Sequence, residues 1–413
     1  MRTCRLLSAA SIAFALAASP AGADAVPGQL TVGLRHGVPA ARARALVEHA
    51  GGRVLRRLGG IDGDVVRPRG HRSLSQVKSR LRALHDVRYV EPDFYLHATA
   101  TPNDPFYTQQ YALGSSTSGI SAPPAWDHRT SCAKIAELDS GVQYDHPDLK
   151  GNIWKNKNEI PANGKDDDKD GYVDDAYGVD IIDGKLSGTD GNGHGTHVAG
   201  IIAARGNNGV GVSGACWTGT VMPIRFLDDR GRGSTSDAVA GIEYAIDHGA
   251  KIANCSFGST SKSSALQDAV DDAQSAGMLL VVAAGNDGVD IDQHPVYPAS
   301  FSDGNILTVA ATTRIGALAP FSNYGKKAVD LAAPGDQIYS TSLESGYSLE
   351  SGTSMAAPLV AAAAAMLRQA DSKLTYSQLR TILRDTTTPL PALSGKTVSG
   401  GLLDLGRALD AVR

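Results

Sequence analysis

The chain has 413 residues, 42% hydrophobic and 20% charged, with a net charge of −4, ample for a sizeable core and two or three structural units. Its charge is uneven: residues 26–97 hold 12 Arg and 1 Lys against 6 acidic residues, a net +7, and with +1 in the first 25 residues the remainder carries about −12. No basic face is joined to a nucleic-acid-binding motif, which excludes that class, whereas the split fits a basic N-terminal unit docking onto an acidic one.

Residues 1–25 read as a secretory signal peptide: a positive start (Arg2, Arg5), an apolar run from Leu6 to Ala18, and small residues (Ala21, Ala23, Ala25) at a cleavage site. That run is too short to span a membrane, and no later segment is long and apolar enough. A soluble, exported mature chain is expected. Residues 26–100 follow as strand (29–34), helix (40–50), two short strands (54–58, 63–67), a helix capped by Ser73 and running to 84, and a last strand (87–92). This order describes a small α+β, ferredoxin-like domain, followed by a polar link over 97–105.

From Pro123 the pattern changes. Short apolar runs at 134–138, 221–226, 252–255, 278–283 and 306–311 alternate with helical stretches such as 235–248 and 264–276. Alternating strands and helices predict an α/β domain with a parallel sheet covered by helices on both faces. Catalytic groups in such sheets gather at the carboxyl ends of strands. One strand, from Lys134, ends on Asp139; another, from Val281, ends on Asn286. Asn192-Gly193-His194-Gly195-Thr196-His197 leads into a helix of small residues. Gly352-Thr353-Ser354-Met355-Ala356-Ala357-Pro358 opens a buried Ala-rich helix, with Ser354 at its N-terminus, where unsatisfied N–H groups and the helix dipole favour a developing anion.

Each residue type answers a chemical need. A neutral serine hydroxyl is a poor nucleophile, so an imidazole must take its proton. A carboxylate must orient that imidazole and stabilise its charged form. A side-chain amide beside the serine N–H can donate to an oxyanion. The four motifs, in chain order Asp, His, Asn, Ser, resemble those of the subtilisin-like serine proteases. The resemblance covers roughly Thr101 to the C-terminus, and Thr101–Pro105 resembles the start of a mature chain in that family. It implies a serine endopeptidase with Asp139 as orienting acid, His194 as general base and acid, Ser354 as nucleophile and Asn286 as oxyanion donor. His197 competes as a base, but the family motif gives that role to the first histidine.

The chain departs from the family at Glu137, where an apolar residue is usual within a buried strand. A buried carboxylate needs a partner or a proton, and Arg225 is the candidate partner. Leu359 and Ala361 replace the His and Gly common after the nucleophile motif, which touches packing rather than chemistry.

Family members bind peptides as an added antiparallel strand. Asn254–Gly258 matches one wall of that site and Gly231-Arg232-Gly233 the other. The P1 pocket is expected between Ser256-Phe257-Gly258 and Ala283-Ala284-Gly285, with Val296 on its floor. Asp166 to Asp175 is acidic at alternate positions around Gly171, like the start of a calcium loop. Asp166, Asp168, Asp170 and the Tyr172 carbonyl are its candidate ligands, with Asp174 or Asp175 replacing the missing glutamate at Tyr177. The family implies a second calcium site from Asp104, Asp148, Asn208 and the carbonyls of Arg205, Val210 and Val212.

Residues 26–100 resemble the propeptide of these proteases. Such a propeptide assists folding, is cut off autocatalytically, here near 97–101, and then inhibits until degraded. The resemblance implies that residues 101–413 are the peptidase domain, expected to be a monomer acting on proteins and peptides in an extracellular or periplasmic setting. Cys132 and Cys216 precede strands expected to be parallel neighbours, which predicts a disulfide; Cys255 is expected to be a buried thiol. A catalytically silent calcium-binding or adhesion module, and a maturation protease with one target, are the competing readings.

Overall fold

The computed structural model describes residues 25–94, 100–114, 117–184 and 189–412. Residues 1–24 of the expected signal peptide and residues 97–99 of the expected cleavage stretch lie outside them. The chain divides into two compact units, residues 1–97 and 98–413.

The first unit runs β1 (Ala25–Leu34), α1 (Ala40–His49), β2 (Gly52–Leu58), β3 (Gly63–Pro68), α2 (Leu74–Arg82) and β4 (Val87–Phe94). Its antiparallel sheet has the order β2-β3-β1-β4, the arrangement of a ferredoxin-like domain. Alternation in β1 buries Leu30, Val32 and Leu34 against Val47 of α1 and Val77 and Leu81 of α2. Ser73 starts α2 with a capping box: its hydroxyl accepts from the Gln76 amide at 3.2 Å while Gln76 accepts from the Ser73 amide at 3.1 Å.

The second unit contains α3 (Ala122–Trp126), β5 (Ser131–Asp139), β6 (Val179–Asp180), α4 (His194–Ala203), β7 (Thr218–Arg225), α5 (Thr235–Asp247), β8 (Ile252–Cys255) and α6 (Ser264–Ser275). There follow β9 (Leu279–Ala283), β10 (Ile306–Thr312), β11 (Leu331–Pro334), β12 (Ile338–Ser342), β13 (Gly346–Glu350), α7 (Thr353–Ala370), α8 (Tyr376–Asp385), β14 (Thr388–Pro389), β15 (Gly401–Leu402) and α9 (Leu405–Asp410). Nine strands form one sheet, β14-β15-β11-β10-β9-β8-β5-β7-β6, parallel except at β14. The strands are apolar on both sides because both faces are covered. Ala136 and Leu138 face the cluster that includes residues of α5 and α6, and Ile135 faces the one built on α4 and α7.

The Ala-rich helix α7 packs across five adjacent strands, β5, β8, β9, β10 and β11. Its residues from Thr353 to Leu367 are all buried. Alanines let the helix lie close to the sheet, and Leu359 and Ala361 are part of that packing. Cys132 and Cys216 are disulfide-bonded with a Cα–Cα separation of 5.8 Å, and Cys255 is a buried thiol.

Because α7 is packed this closely, enlarging one of its buried alanines has no room to be absorbed. Ala363→Leu is expected to destabilise the domain by about 1–3 kcal/mol, seen as a lower thermal midpoint in inhibited protein. An unchanged midpoint would mean that the helix does not pack as described.

Candidate active site

The parallel sheet ends its central strands on one edge, and the candidate residues gather there. Asp139 is the last residue of β5. Its buried Oδ1 lies 2.7 Å from His194 Nδ1 and accepts from the Ser140 amide at 2.7 Å. His194 is the first residue of α4. A Cβ on Gly195 would collide with the Gly141 carbonyl and stand 3.2 Å from the Asp139 Cβ, so the helix start can press against this turn only with glycine there. Asp190, which sequence reasoning missed, joins the two elements. Its Oδ1 accepts from Ser140 Oγ at 2.9 Å and from the Gly193 amide at 2.8 Å; its Oδ2 accepts from the Thr196 amide and hydroxyl at 2.9 and 2.6 Å.

Burial pulls the proton affinity of His194 down, but the charge and hydrogen bond of Asp139, helped by Glu350 and Asp190, outweigh it and hold the imidazole up at about 9. His197 behaves oppositely. It is buried, which brings it down to about 4, and its Nε2 faces the Ser348 carbonyl at 3.2 Å. It is a neutral packing histidine, away from Asp139.

Ser354 is the second residue of α7. Pro358, four residues on, has no N–H to donate to the Ser354 carbonyl. Ser256 Oγ donates to that carbonyl instead, at 3.1 Å, and Ser354 Oγ donates to the Ser256 carbonyl at 3.3 Å. Asn286 lies three residues beyond the end of β9 rather than on the strand, because the chain turns at Gly285, where φ is +100°. Its Oδ1 accepts from the Thr353 amide at 2.8 Å and the Thr353 hydroxyl at 3.0 Å, which fixes the amide with Nδ2 free to donate. A side chain on Gly352 would begin 3.4 Å from that Nδ2 and 3.6 Å from the Ser354 amide. Glycine thus keeps open a space bordered by two donors, suited to a developing oxyanion.

Two cavities meet here. One of about 600 Å³ is lined by His194, Phe226, Gly231, Arg232, Gly233, Ser256, Phe257 and Gly258 among others. The second, about 230 Å³, is bordered by Ser256, Phe257, Gly258, Ala283, Gly285, Asn286, Val296 and Ser354. The predicted pocket residues border it except Ala284, which is wholly buried. Asp287, not singled out from the sequence, also borders it.

Arg225 does not pair with Glu137. The β5–β7 register sets Pro223 beside Glu137 and Arg225 beside Asp139, while β6 sets Asp180 beside Arg225. The guanidinium bonds to Asp180 and to Asp229, the latter at 3.0 Å.

The acidic loop divides differently from a calcium loop read off its spacing. Asp166 spends its carboxylate on the amides of Lys169, Asp170 and Gly171, and Asp174 on those of Asn163 and Gly164. Asp168 and Asp175 instead gather with Glu159, and Asp168 and Asp170 with His248; neither Glu159 nor His248 was foreseen. Glu159 Oε2 and Asp168 Oδ1 are buried without hydrogen-bond partners, and an all-oxygen set of this kind fits a hard divalent cation. At the second candidate site, Asp104 accepts from the Asn207 and Asn208 amides at 2.7 and 3.0 Å. Asp148 accepts from Asn208 Nδ2 and the Val212 amide, both at 2.9 Å. The Val210 amide donates to Asn208 Oδ1 at 2.7 Å, and the Arg205 amide to the Asp148 carbonyl at 2.8 Å. Burial, with the nearby Asp104 charge, raises Asp148 to about 6.

Comparison with known proteins agrees with this geometry. Residues 131–401 match the subtilase family (Peptidase_S8), and residues 13–93 match the fervidolysin N-terminal prodomain. Thermitase of Thermoactinomyces vulgaris is 40% identical over 288 residues, covering 69% of this chain and 91% of thermitase. An extracellular protease of Xanthomonas campestris pv. campestris is 35% identical over 425 residues, 94% of this chain and 70% of that protein. A solved protease of Pseudoalteromonas arctica superposes with a TM-score of 0.64 at 32% identity, covering 76% of this chain and all of that one. The chain belongs to the subtilase family and is a subtilisin-type serine endopeptidase with an N-terminal prodomain.

Proposed function

We propose that the enzyme is an exported zymogen whose Ser354 cleaves peptide bonds, including the one that frees it from residues 26–100. The observation that carries the reading is the Asp139–His194 contact at 2.7 Å on the sheet edge where α7 presents Ser354. A peptide lies along the larger cleft with its P1 side chain in the smaller cavity. The Ser354 hydroxyl turns from the Ser256 carbonyl towards His194, which takes its proton as Oγ attacks the scissile carbonyl. Asn286 Nδ2 and the Ser354 amide stabilise the oxyanion. His194 returns the proton to the leaving amine, and water then releases the acyl group by the same route. A catalytically silent binding module would not need this assembly, and the maturation-protease reading differs only in the range of targets.

Export is supported by the charged and apolar order of the first 25 residues and by the extracellular relative; among the described residues no helix is long and apolar enough to cross a membrane. Calcium at the Glu159–Asp168–Asp175 cluster and around Asp104, Asp148 and Asn208 would neutralise crowded carboxylates and slow local unfolding. The opposite charges of residues 26–97 and the remainder suit a propeptide that inhibits after cleavage.

The following outcomes test these statements. Purified protein should hydrolyse casein and lose that activity to phenylmethylsulfonyl fluoride, and Ser354→Ala should remain an uncut precursor; normal cleavage in pure variant would contradict self-processing. His194 works as a base only when neutral, so kcat/KM should rise with pH through an acid limb above the ordinary ~6.5, towards about 9. Asp139→Asn should move that limb down and reduce the rate; a wild-type limb at or below ~6.5 would refute the coupling. Removing calcium with EDTA should lower the melting temperature by roughly 5 °C or more and speed autolysis, and calcium should restore both; no change would defeat the metal sites. Val296 on the pocket floor should disfavour large aromatic P1 residues, so Phe should give a lower kcat/KM than Leu or Ala, and a strong Phe preference would sink this assignment.

A further inference from the structure

β5 carries a carboxyl group for which the proteolytic machinery has no use. Glu137 is 1% exposed and lies two residues before Asp139, on the same face of the strand. Among the described residues neither of its oxygens has a hydrogen-bond partner and no cation reaches it, since Arg225 is held by Asp180 and Asp229. The charged groups facing it, Asp139 and Asp190, are both acidic; with burial as the main cause they hold the carboxyl well above the usual range. Without a cation, a carboxyl in such surroundings keeps its proton.

Two acceptors on this face are buried without a donor among the described residues, Asp139 Oδ2 and Asn254 Oδ1. Asp139 is two residues away along the strand, about 6.6 Å, whereas a register partner on the adjacent strand is nearer. In β8 the residue in register with Glu137 is Asn254, which is 0% exposed, and register partners on adjacent strands stand about 5 Å apart on one face. Asn254 Oδ1 is buried and has no donor. The other residues in this row, Pro223 and Val281, bring no polar side chain. The far side of the Asn254 amide is already engaged. Nδ2 donates to Ser256 Oγ at 2.9 Å, and Ser256 Oγ donates to the Ser354 carbonyl at 3.1 Å. An unmade donor and an unmade acceptor therefore stand side by side at the foot of a hydrogen-bond chain that ends on the nucleophile.

We propose that Glu137 donates its carboxylic O–H to Asn254 Oδ1 and so fixes the Asn254–Ser256–Ser354 chain that holds the nucleophile in place. Glu137 is a positioning residue: it acts through Asn254 and touches neither substrate nor His194. The inference rests on the serine-protease reading for its kinetic consequences, but not for the hydrogen bond itself.

The test combines infrared difference spectra with kinetics on the mature enzyme. At neutral pH, protein inactivated with phenylmethylsulfonyl fluoride should show a protonated-carboxyl band that vanishes in Glu137→Gln and shifts in Asn254→Leu. Glu137→Gln, whose amide can replace the O–H as donor, should keep kcat/KM within about 3-fold and leave the acid limb where it is. Glu137→Leu fills the space without a donor and should lower kcat about 10-fold with little change in KM, a loss that does not add to that of Asn254→Leu. Absence of the band, equal damage from Gln and Leu, or an acid limb displaced in Glu137→Gln would each overturn the proposal, the last by revealing an ionised carboxylate acting on His194. The band can be read on protein that hydrolyses nothing, so failure of the protease reading and failure of this one are told apart. Should Glu137→Leu not fold, the spectrum and Glu137→Gln decide the matter.

Discussion

Pro358 removes one amide from α7, and the site is arranged around the carbonyl that this leaves free. A helix interior usually spends every carbonyl on its own N–H four residues later; here the Ser354 carbonyl turns to Ser256 Oγ at 3.1 Å. The exchange is reciprocal, with Ser354 Oγ on the Ser256 carbonyl. The first turn of α7 is thereby tied to the loop after β8, and the Asn286–Thr353 bonds tie it to the loop after β9. Neither tie would hold if α7 could slide, and its alanines, packed across five strands, leave it little freedom to do so.

The second constraint is electrostatic. Asp139 and Asp190 are buried acids on one edge of the sheet, and Glu137 lies beneath them. Asp139 is compensated by His194 and the Ser140 amide, and Asp190 by the amides and hydroxyls at the start of α4. These bonds both offset the cost of burial and set the angle of the imidazole. Stability and catalytic geometry here depend on the same hydrogen bonds.

Much of this was legible in the chain. The strands β9 and β10 announce themselves as largely apolar runs because helices cover both faces of the sheet, and Ser73 marks the start of α2 by its capping box. The four motif residues could be named because Asp139 closes and His194 opens an element, while Ser354 lies in the first turn of one and Asn286 just past the end of another, each near a glycine. Other features left no local signal. β6 is two residues long and β11 four, too short for periodicity, and the β12–β13 hairpin lacks a distinctive turn. Arg225 was assigned to the wrong acid because its partner, Asp180, sits on that two-residue strand. Glu159 and His248, which gather with acids of the loop, approach it from outside and so leave no mark on its spacing, whereas Asp166 and Asp174, which that spacing suggested, accept from backbone amides. Asp190 gave no motif; its role appears only when the turn after β5 and the start of α4 are seen together.

The central claim is that Asp139, His194 and Ser354 act as one unit. It is tested most directly by comparing kcat for Ser354→Ala, His194→Ala and the double variant on one peptide substrate, each freed of residues 26–100 by an added protease that is then removed. If the three residues act together, each single change removes nearly all of the catalysis they provide, and the double variant is no slower than either single one. Losses that multiply in the double variant would show that serine and histidine work independently, and would contradict the account.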